Sequence, residues 1–179
     1  MRLAFNDGVL PAAHKGCGKT WLADVGALRV LQMTRVPQVS QMVILCGGFG
    51  RRLKEITQGQ QKVLSEVDGE PFLAHLMRQW IARGISRFVL SVGYRGQDVV
   101  NYFGFSFESA EIEYVFEDKP LGTGGAFLKA AHALSPGFAL LSNGDTMCGV
   151  DGSDLTNFVW EQRSPVCLVA SQVIEDTER

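Results

Sequence analysis

Short apolar segments alternate with helix-like segments from Met42 to the end of this chain, and that alternation limits the folds available to it. Five apolar runs are predicted strands, at 42–45, 87–92, 112–117, 138–141 and 166–173. Four segments between them have helical patterns, at 71–83, 97–103, 124–133 and 155–163. This order favours a parallel sheet with helices on both faces. We therefore predict an α/β fold, a Rossmann-like three-layer α/β/α domain with a mainly parallel sheet.

The first predicted strand runs into a glycine-rich loop, residues 45–53, with the sequence LCGGFGRRL. Ligands of such sheets bind where strands reach their carboxyl ends. Gly47, Gly48 and Gly50 can direct several backbone N–H groups at one place, and Arg52 can neutralise outer phosphates. The loop therefore predicts a polyphosphate site. Taken alone, it fits a plain strand-to-helix turn with solvated arginines equally well.

One basic and one acidic side chain follow in comparable positions. Lys62 precedes the short apolar pair Val63-Leu64, and its ammonium group can reach a phosphate as a point charge. Asp145 comes shortly after the 138–141 run, where a carboxylate is a natural ligand for Mg²⁺. The alternatives are an exposed loop lysine and an Asx-turn. Both functional interpretations depend on the two residues sharing one sheet edge.

A second glycine cluster lies at 121–125, with the sequence LGTGG, after the acidic end of a predicted strand. Its backbone amides and carbonyls could contact the edge of a flat ring lying close to the loop. The alternative is an N-cap by Thr123 with tight packing of helix on sheet. We favour a ligand-binding loop, because a single glycine would serve a cap.

Composition excludes several classes of function. The formal net charge of −2 supplies no basic field for nucleic acid. No apolar stretch approaches the roughly 20 residues of a bilayer span, and the N-terminus lacks the pattern of a secretory signal. The four cysteines have no CxxC spacing: Cys17, Cys46, Cys148 and Cys167. We expect a reduced, cytoplasmic protein without nucleic-acid or membrane partners.

In this order the motifs resemble those of the sugar-1-phosphate nucleotidyltransferases, and more narrowly the heptose 1-phosphate and mannose 1-phosphate guanylyltransferase branch. Residues 45–53 resemble the signature loop of that family, and Lys62-Val63-Leu64 its lysine motif. Residues 120–126 resemble the base-binding loop, and residues 143–145 the metal-aspartate motif. The combination is far more specific than any one motif.

The resemblance implies a role for each candidate residue. Nucleotide-binding positions would be Gly47, Gly48, Gly50 and Arg52 at the triphosphate, and Gly122, Thr123 and Gly124 at the base. The catalytic residues would be Arg52, Lys62 and Asp145, the last holding Mg²⁺. The implied substrates are a nucleoside triphosphate, GTP by the closer branch, and a sugar 1-phosphate. Pyrophosphate would be released. Whether the protein forms a homo-oligomer is left open.

The chain departs from the family pattern in three places. Arg51 stands where the family usually has threonine, and Gln61 replaces the proline before the lysine, so we expect a less rigid Lys62 loop. The family also places a second acidic metal ligand beyond the position of Arg179. We therefore expect residues 42–179 to form a nucleotidyltransferase domain that is incomplete at its C-terminus. An inactive or binding-only fragment is the alternative function.

Residues 1–41 lie outside the resemblance and are predicted to form an N-terminal extension. Residues 13–20, with the sequence AHKGCGKT, nearly match a P-loop, but Ala13 replaces the first glycine. A P-loop NTPase that uses Lys19 and Thr20 is therefore a third, less favoured function. Too little chain follows to build an NTPase domain before the next strand. An extension, or a start at Met33 or Met42, is the preferred interpretation.

Overall fold

A computed structural model of the protein describes residues 38–48, 61–164 and 166–170. The strands are β1 (Gln41–Cys46), β2 (Glu66–Val67), β3 (Glu70–Pro71), β4 (Arg87–Val92), β5 (Ser106–Phe107), β6 (Ala110–Phe116) and β7 (Leu140–Asn143). The helices are α1 (Phe72–Ile81), α2 (Gly96–Phe103), α3 (Gly122–Ala131) and α4 (Gly152–Glu161). A 3-10 turn spans Lys62–Leu64. Residues 1–37 of the predicted N-terminal extension, and Gly50, Arg51 and Arg52, lie outside the described residues.

A five-stranded sheet in the order β5-β6-β4-β1-β7 forms the centre of the described structure. β1 lies between β4 and β7 and runs parallel to both, and β4 is also parallel to β6. β5 pairs antiparallel with β6. The predicted mainly parallel sheet is confirmed. The carboxyl ends of β6, β4, β1 and β7 consequently meet at one rim.

Side chains of β1 alternate between two cores, as the pleat of a strand requires. Met42 and Ile44 pack with the buried face of α1 and with Val99 and Phe103 of α2. Val43, between them, packs on the opposite face with Val89 and with Ala130 of α3. Helices therefore cover both faces of the sheet, and the predicted three-layer α/β/α fold is confirmed.

Most predicted elements lie within a few residues of their observed positions, and β4 has the predicted bounds. α4 begins earlier than predicted, because Asp151 caps it by accepting a hydrogen bond of 2.7 Å from the Ser153 N–H. The prediction of a strand at 166–173 is wrong for residues 166–170, which have no regular structure. Leu168 is 85% exposed there, so this apolar side chain does not contribute to the core of the described residues.

A short hairpin of β2 and β3 was missed by the periodicity argument. Its two turn residues, Asp68 and Gly69, have φ angles of 52° and 83°. Positive φ at both central positions is the requirement of the turn that Asp-Gly pairs favour. The dipeptide was a usable signal, and the hairpin leads directly into α1. None of the four described helices has the length and hydropathy of a membrane span.

Candidate active site

A cleft of about 400 Å³ lies at the rim where the parallel strands end. Several of the predicted site residues line it: Gly47, Gly48, Lys62, Gly122, Thr123 and Asp145. Gln61, Glu117 and Asn143 are also in its wall. Gly50 and Arg52 are outside the described residues, so their placement stays a prediction. The cleft thus brings together residues that are up to about a hundred positions apart in the sequence.

Lys62 and Asp145 form an ion pair in this cleft. The Nζ of Lys62 lies 2.5 Å from Oδ2 of Asp145, and the two side chains are 37% and 38% exposed. The hydrogen bond from Lys62 is the main cause that lowers the pKa of the Asp145 carboxyl below its usual value. Thr146 donates a second hydrogen bond of 3.1 Å to Oδ1. A charged lysine and an ionised carboxylate are therefore both present and accessible to a ligand.

The lysine turn is anchored by the residue that was expected to loosen it. Gln61 is 2% exposed. Its Nε2 donates a hydrogen bond of 2.7 Å to the Cys46 carbonyl and one of 3.0 Å to the Tyr94 carbonyl. That glutamine in place of proline leaves the Lys62 loop less rigid stays a prediction. The buried carboxamide ties Gln61 to two other segments through long-range hydrogen bonds.

Gly144 brings the aspartate close to the lysine turn. Its N–H donates a hydrogen bond of 2.9 Å to the Leu45 carbonyl of β1. A Cβ atom at this position would lie 2.8 Å from Cγ1 of Val63 and 3.1 Å from Sγ of Cys46. Only glycine permits this approach without displacement of Val63, the neighbour of Lys62. Asp145 is therefore positioned by a close contact between the end of β7 and the lysine turn.

Glu117 is a site residue that the sequence reasoning did not single out. It follows β6, and its Oε1 accepts a hydrogen bond of 2.9 Å from Oγ of Ser91. Its Oε2 accepts one of 3.2 Å from the N–H of Leu121. A Cβ on Gly47 would lie 2.5 Å from the Glu117 Oε1, so the glycine turn passes directly against the carboxylate. The acidic residues at the end of the predicted strand were a usable signal for this site residue.

The second glycine cluster forms the start of α3. The helix begins at Gly122, which has a φ of +69°, and its N-cap residue Leu121 makes no side-chain capping bond. Thr123 lies inside the helix and is not its N-cap, which removes the capping alternative. No atom of residues 38–48, 61–164 or 166–170 lies within 4 Å of a Cβ built on Gly122 or Gly124.

The cysteine beside the cleft is not a nucleophile. Cys46 is fully buried at the end of β1. Burial, reinforced by the negative charge of Asp145, raises the pKa of its thiol far above the ordinary value. The thiolate needed for nucleophilic attack is consequently absent at neutral pH. The described charged groups that face the cleft can bind and neutralise charge.

Comparisons with known proteins agree with this arrangement. Residues 41–178 match the family model described as nucleotidyl transferase. The D-glycero-alpha-D-manno-heptose 1-phosphate guanylyltransferase of Campylobacter jejuni is 35% identical over 133 residues, which are 74% of this chain and 58% of that protein. The mannose-1-phosphate guanylyltransferase of Mycobacterium tuberculosis is 37% identical over 127 residues, 70% of this chain and 35% of that protein.

The fold is also similar to that of solved structures. HddC from Yersinia pseudotuberculosis, crystallised in complex with GMP-PN, has a TM-score of 0.62 and 30% identity, covering 68% of this chain and 54% of that one. The chain spans about half the length of the relatives it matches. The matched part is 58% of the Campylobacter protein, 35% of the Mycobacterium protein and 48% of a D-glycero-alpha-D-manno-heptose 1-phosphate guanylyltransferase of Aneurinibacillus thermoaerophilus. Since the family match covers most of the sequence and includes the strands that build the cleft, the chain belongs to the nucleotidyl transferase family.

Proposed function

We propose that this protein transfers GMP from GTP to a sugar 1-phosphate of the heptose or mannose type and releases pyrophosphate. One observation carries the proposal: Lys62, Asp145 and two glycine turns converge on a single cleft at the carboxyl ends of parallel strands. The relatives named as heptose and mannose 1-phosphate guanylyltransferases support the choice of base and sugar. The proposed reaction takes place in the cytoplasm, with no nucleic-acid or membrane partner.

The proposed chemistry is a direct displacement at phosphorus. An oxygen of the sugar phosphate attacks the α-phosphorus of GTP, and the bond from that phosphorus to the bridging oxygen of the β-phosphate breaks, so that pyrophosphate leaves. Lys62 neutralises charge on the phosphates, and the cleft holds the two anionic substrates in line. No group on the protein needs to become covalently attached. Gly50 and Arg52 are assigned to the triphosphate by the sequence resemblance.

Asp145 is the carboxylate that would hold Mg²⁺. Mg²⁺ is commonly bound by one or two carboxylates together with substrate phosphates and water. Among the described residues no group of three or more His, Cys, Asp or Glu could hold a metal ion by itself. A single exposed carboxylate fits a cation that is bound together with the triphosphate, rather than a resident metal. When bound, such an ion would supply charge neutralisation at the reacting phosphate.

Glu117 supports guanine as the base. An ionised carboxylate only accepts hydrogen bonds, and guanine presents two neighbouring donors, N1–H and the N2 amino group. Ser91 and Leu121 already fix the orientation of this carboxylate. Because its charge repels phosphate and it touches Gly47, we place the base near Gly47 and the phosphates beyond Gly48, towards Lys62. This assignment moves Gly47 from the triphosphate to the base end of the nucleotide.

The test is a pyrophosphate-release assay that crosses the four nucleoside triphosphates with mannose, glucose and heptose 1-phosphates in the presence of Mg²⁺. The proposal expects turnover with GTP and with heptose or mannose 1-phosphate. Turnover only with another triphosphate would contradict the assignment of the base. Nucleotide binding without turnover for any pair would favour the alternative, a binding-only fragment.

A variant sharpens the assignment of the base. Glu117→Gln should reduce the preference for GTP over ITP, which lacks the N2 amino group, by about 10-fold, because a hydrogen bond to a charged acceptor is replaced by a weaker one. Glu111→Gln changes an exposed carboxylate of β6, the strand that Glu117 follows, and should leave the preference unchanged. An unaltered GTP to ITP ratio in Glu117→Gln would remove Glu117 from base recognition.

A further inference from the structure

Gln61 is a buried polar residue to which the proposed chemistry gives no task. Its side chain bridges two segments that reach the rim separately, the end of β1 at Cys46 and the loop after β4 at Tyr94. We propose that Gln61 is a positioning residue, which holds the lysine turn across these two strand ends and so fixes the place of the Lys62 ammonium group. The inference rests on the proposed function of the cleft, because it assigns to Lys62 a part in turnover.

The backbone connects Gln61 directly to the lysine. The Gln61 carbonyl accepts a hydrogen bond of 2.9 Å from the Leu64 N–H, which closes the 3-10 turn, and the Lys62 carbonyl accepts one of 3.1 Å from the Ser65 N–H. Any movement of Gln61 is therefore transmitted to Lys62 through a single turn. On the other side of Lys62, Val63 is 4% exposed and packs in the core. The lysine is thus held from both sides.

The hydrogen bonds of Gln61 argue against a role in packing alone. Its Nε2 uses both N–H donors, and each donates to the backbone of a different segment. The two hydrogen bonds of Nε2 are what the carboxamide contributes, and both go to carbonyls at the cleft rim. An apolar side chain of equal size could fill the space but could not bridge those carbonyls.

The backbone conformation of Gln61 is compatible with a proline, so the two hydrogen bonds of its side chain can be compared with the restraint of a proline ring. Its φ of −63° and ψ of 128° are values that proline also adopts. A proline at this position would restrain the turn through its ring. Glutamine leaves φ free to rotate and restrains the turn through its side chain instead. The two residues therefore offer different physical solutions to one requirement, a fixed approach of the lysine to the rim.

The experiment uses Gln61→Ala, Gln61→Pro, Lys62→Ala and the double variant Gln61→Ala/Lys62→Ala. Gln41→Ala is the matched control, since Gln41 is a buried glutamine at the opposite end of β1. Hydrogen exchange by mass spectrometry reports the Leu64 and Ser65 amides, and pyrophosphate release under single-turnover conditions reports the rate. Gln61→Ala should increase exchange of these amides at least about 10-fold and lower the rate about 10- to 100-fold. Gln61→Pro should recover part of both. Gln41→Ala should leave the rate per folded molecule unchanged, and it should raise the exchange of these two amides no more than that of the core amides of β4.

The double variant separates positioning from general stability. If Gln61 acts through Lys62, its substitution should change the rate of the Lys62→Ala protein by less than about 2-fold. A full additional loss in that background, or unchanged exchange in Gln61→Ala, would overturn the inference. Absence of turnover in the unmodified protein would instead contradict the proposed function. In that case the exchange rates of Gln61→Ala against Gln41→Ala decide whether Gln61 restrains the turn.

Discussion

A buried glutamine lies beside each end of β1, Gln41 at the amino end and Gln61 at the carboxyl end, and the two make different sets of hydrogen bonds. At the amino end, Nε2 of Gln41 donates to the Ser135 carbonyl at 2.7 Å, and its Oε1 accepts from the Ser135 N–H at 2.9 Å. At the carboxyl end, Gln61 uses both donors, but its Oε1 lacks a partner among the described residues. At the amino end the carboxamide is bonded through its nitrogen and its oxygen to the backbone of Ser135, whereas at the carboxyl end it ties two segments together at the rim of the cleft.

The charged groups differ in the same way. At the amino end, Arg87 donates hydrogen bonds to Glu113 at 2.5 Å and to the Ala133 carbonyl at 2.7 Å, and its side chain is 25% exposed. At the carboxyl end, Lys62 is more exposed than Arg87 and Asp145 is less exposed than Glu113, but both Lys62 and Asp145 line the cleft. The comparison predicts that substitutions at one end change mainly stability and at the other mainly activity.

The largest effect is expected from Asp145→Ala. Turnover should fall at least about 10³-fold, because the proposed cation loses its protein ligand. Thermal stability should change little, since a half-exposed ion pair contributes at most about 1 kcal/mol. Pyrophosphate release and thermal melting measure the two quantities. Normal turnover in this variant would remove Asp145 from the mechanism.

Gly144→Ala is expected to lower both stability and turnover, because Gly144 connects the rim of the cleft with the core. The new Cβ would contact Val63 at 2.8 Å and the Leu45 carbonyl at 3.1 Å. Overpacking of this kind costs about 1–3 kcal/mol of unfolding free energy, and displacement of Val63 should also lower turnover. Chemical denaturation and the turnover assay test this. Gly149→Ala is the control, with no atom within 4 Å of its Cβ. Equal stability of the two variants would contradict the expected clash.

Gln41→Ala should lower stability without impairing the cleft. Loss of the side chain removes the hydrogen bonds that Gln41 makes with the carbonyl and the N–H of the exposed residue Ser135, and each such bond contributes about 0.5–1.5 kcal/mol to the unfolding free energy. Turnover per folded molecule should be unchanged at a temperature well below the melting point. Loss of turnover in the folded variant would show that the two ends of the sheet are coupled, and the comparison would then fail.

The smallest effect concerns the cap of α4. Hydrogen bonds from the hydroxyl and N–H groups of Ser153 lower the pKa of Asp151 below its ordinary value. A lowered pKa in the folded state means that the stabilisation is complete above the pKa of the unfolded chain and is lost as the pH falls through the folded value. Asp151→Asn keeps the capping oxygen but does not titrate. The melting temperatures of the two proteins should therefore differ slightly at pH 7 and converge towards pH 3. A constant difference would contradict this role of ionisation.

The sequence predicted the parallel sheet and its helices well because their signals are local. The apolar runs at β1 and β4 are buried on both faces, so composition alone revealed them. The last residues of β7 are polar, Ser142 and Asn143, yet they pair with Ile44 and Leu45 of β1. The prediction from apolar residues therefore placed this strand at 138–141, closer to the N-terminus than its observed position at Leu140–Asn143. An edge strand that ends at a binding rim need not be apolar there.

The contacts that complete the site could not be predicted locally. Gln61 bonds to residues 15 and 33 positions away, and Ser91 and Glu117 are 26 positions apart. The proximity of Lys62 and Asp145 was expected from the order of the motifs, and they do lie together. The buried carboxamide and the fixed carboxylate appear only when the strand ends are assembled. Their functional roles stay proposals until the variants are measured.

The ion pair between Lys62 and Asp145 has a consequence for competition inside a cell. Inorganic phosphate alone would have to separate the lysine from its carboxylate, and a free divalent ion would have to separate the carboxylate from its lysine. Each small ion would gain one of the two side chains as a partner and would leave the other charged side chain without one. The proposed substrate, a triphosphate with its metal ion, would supply both charges together and satisfy both side chains at once. If that proposal holds, the pairing favours the complete substrate over the abundant simple ions that resemble its parts.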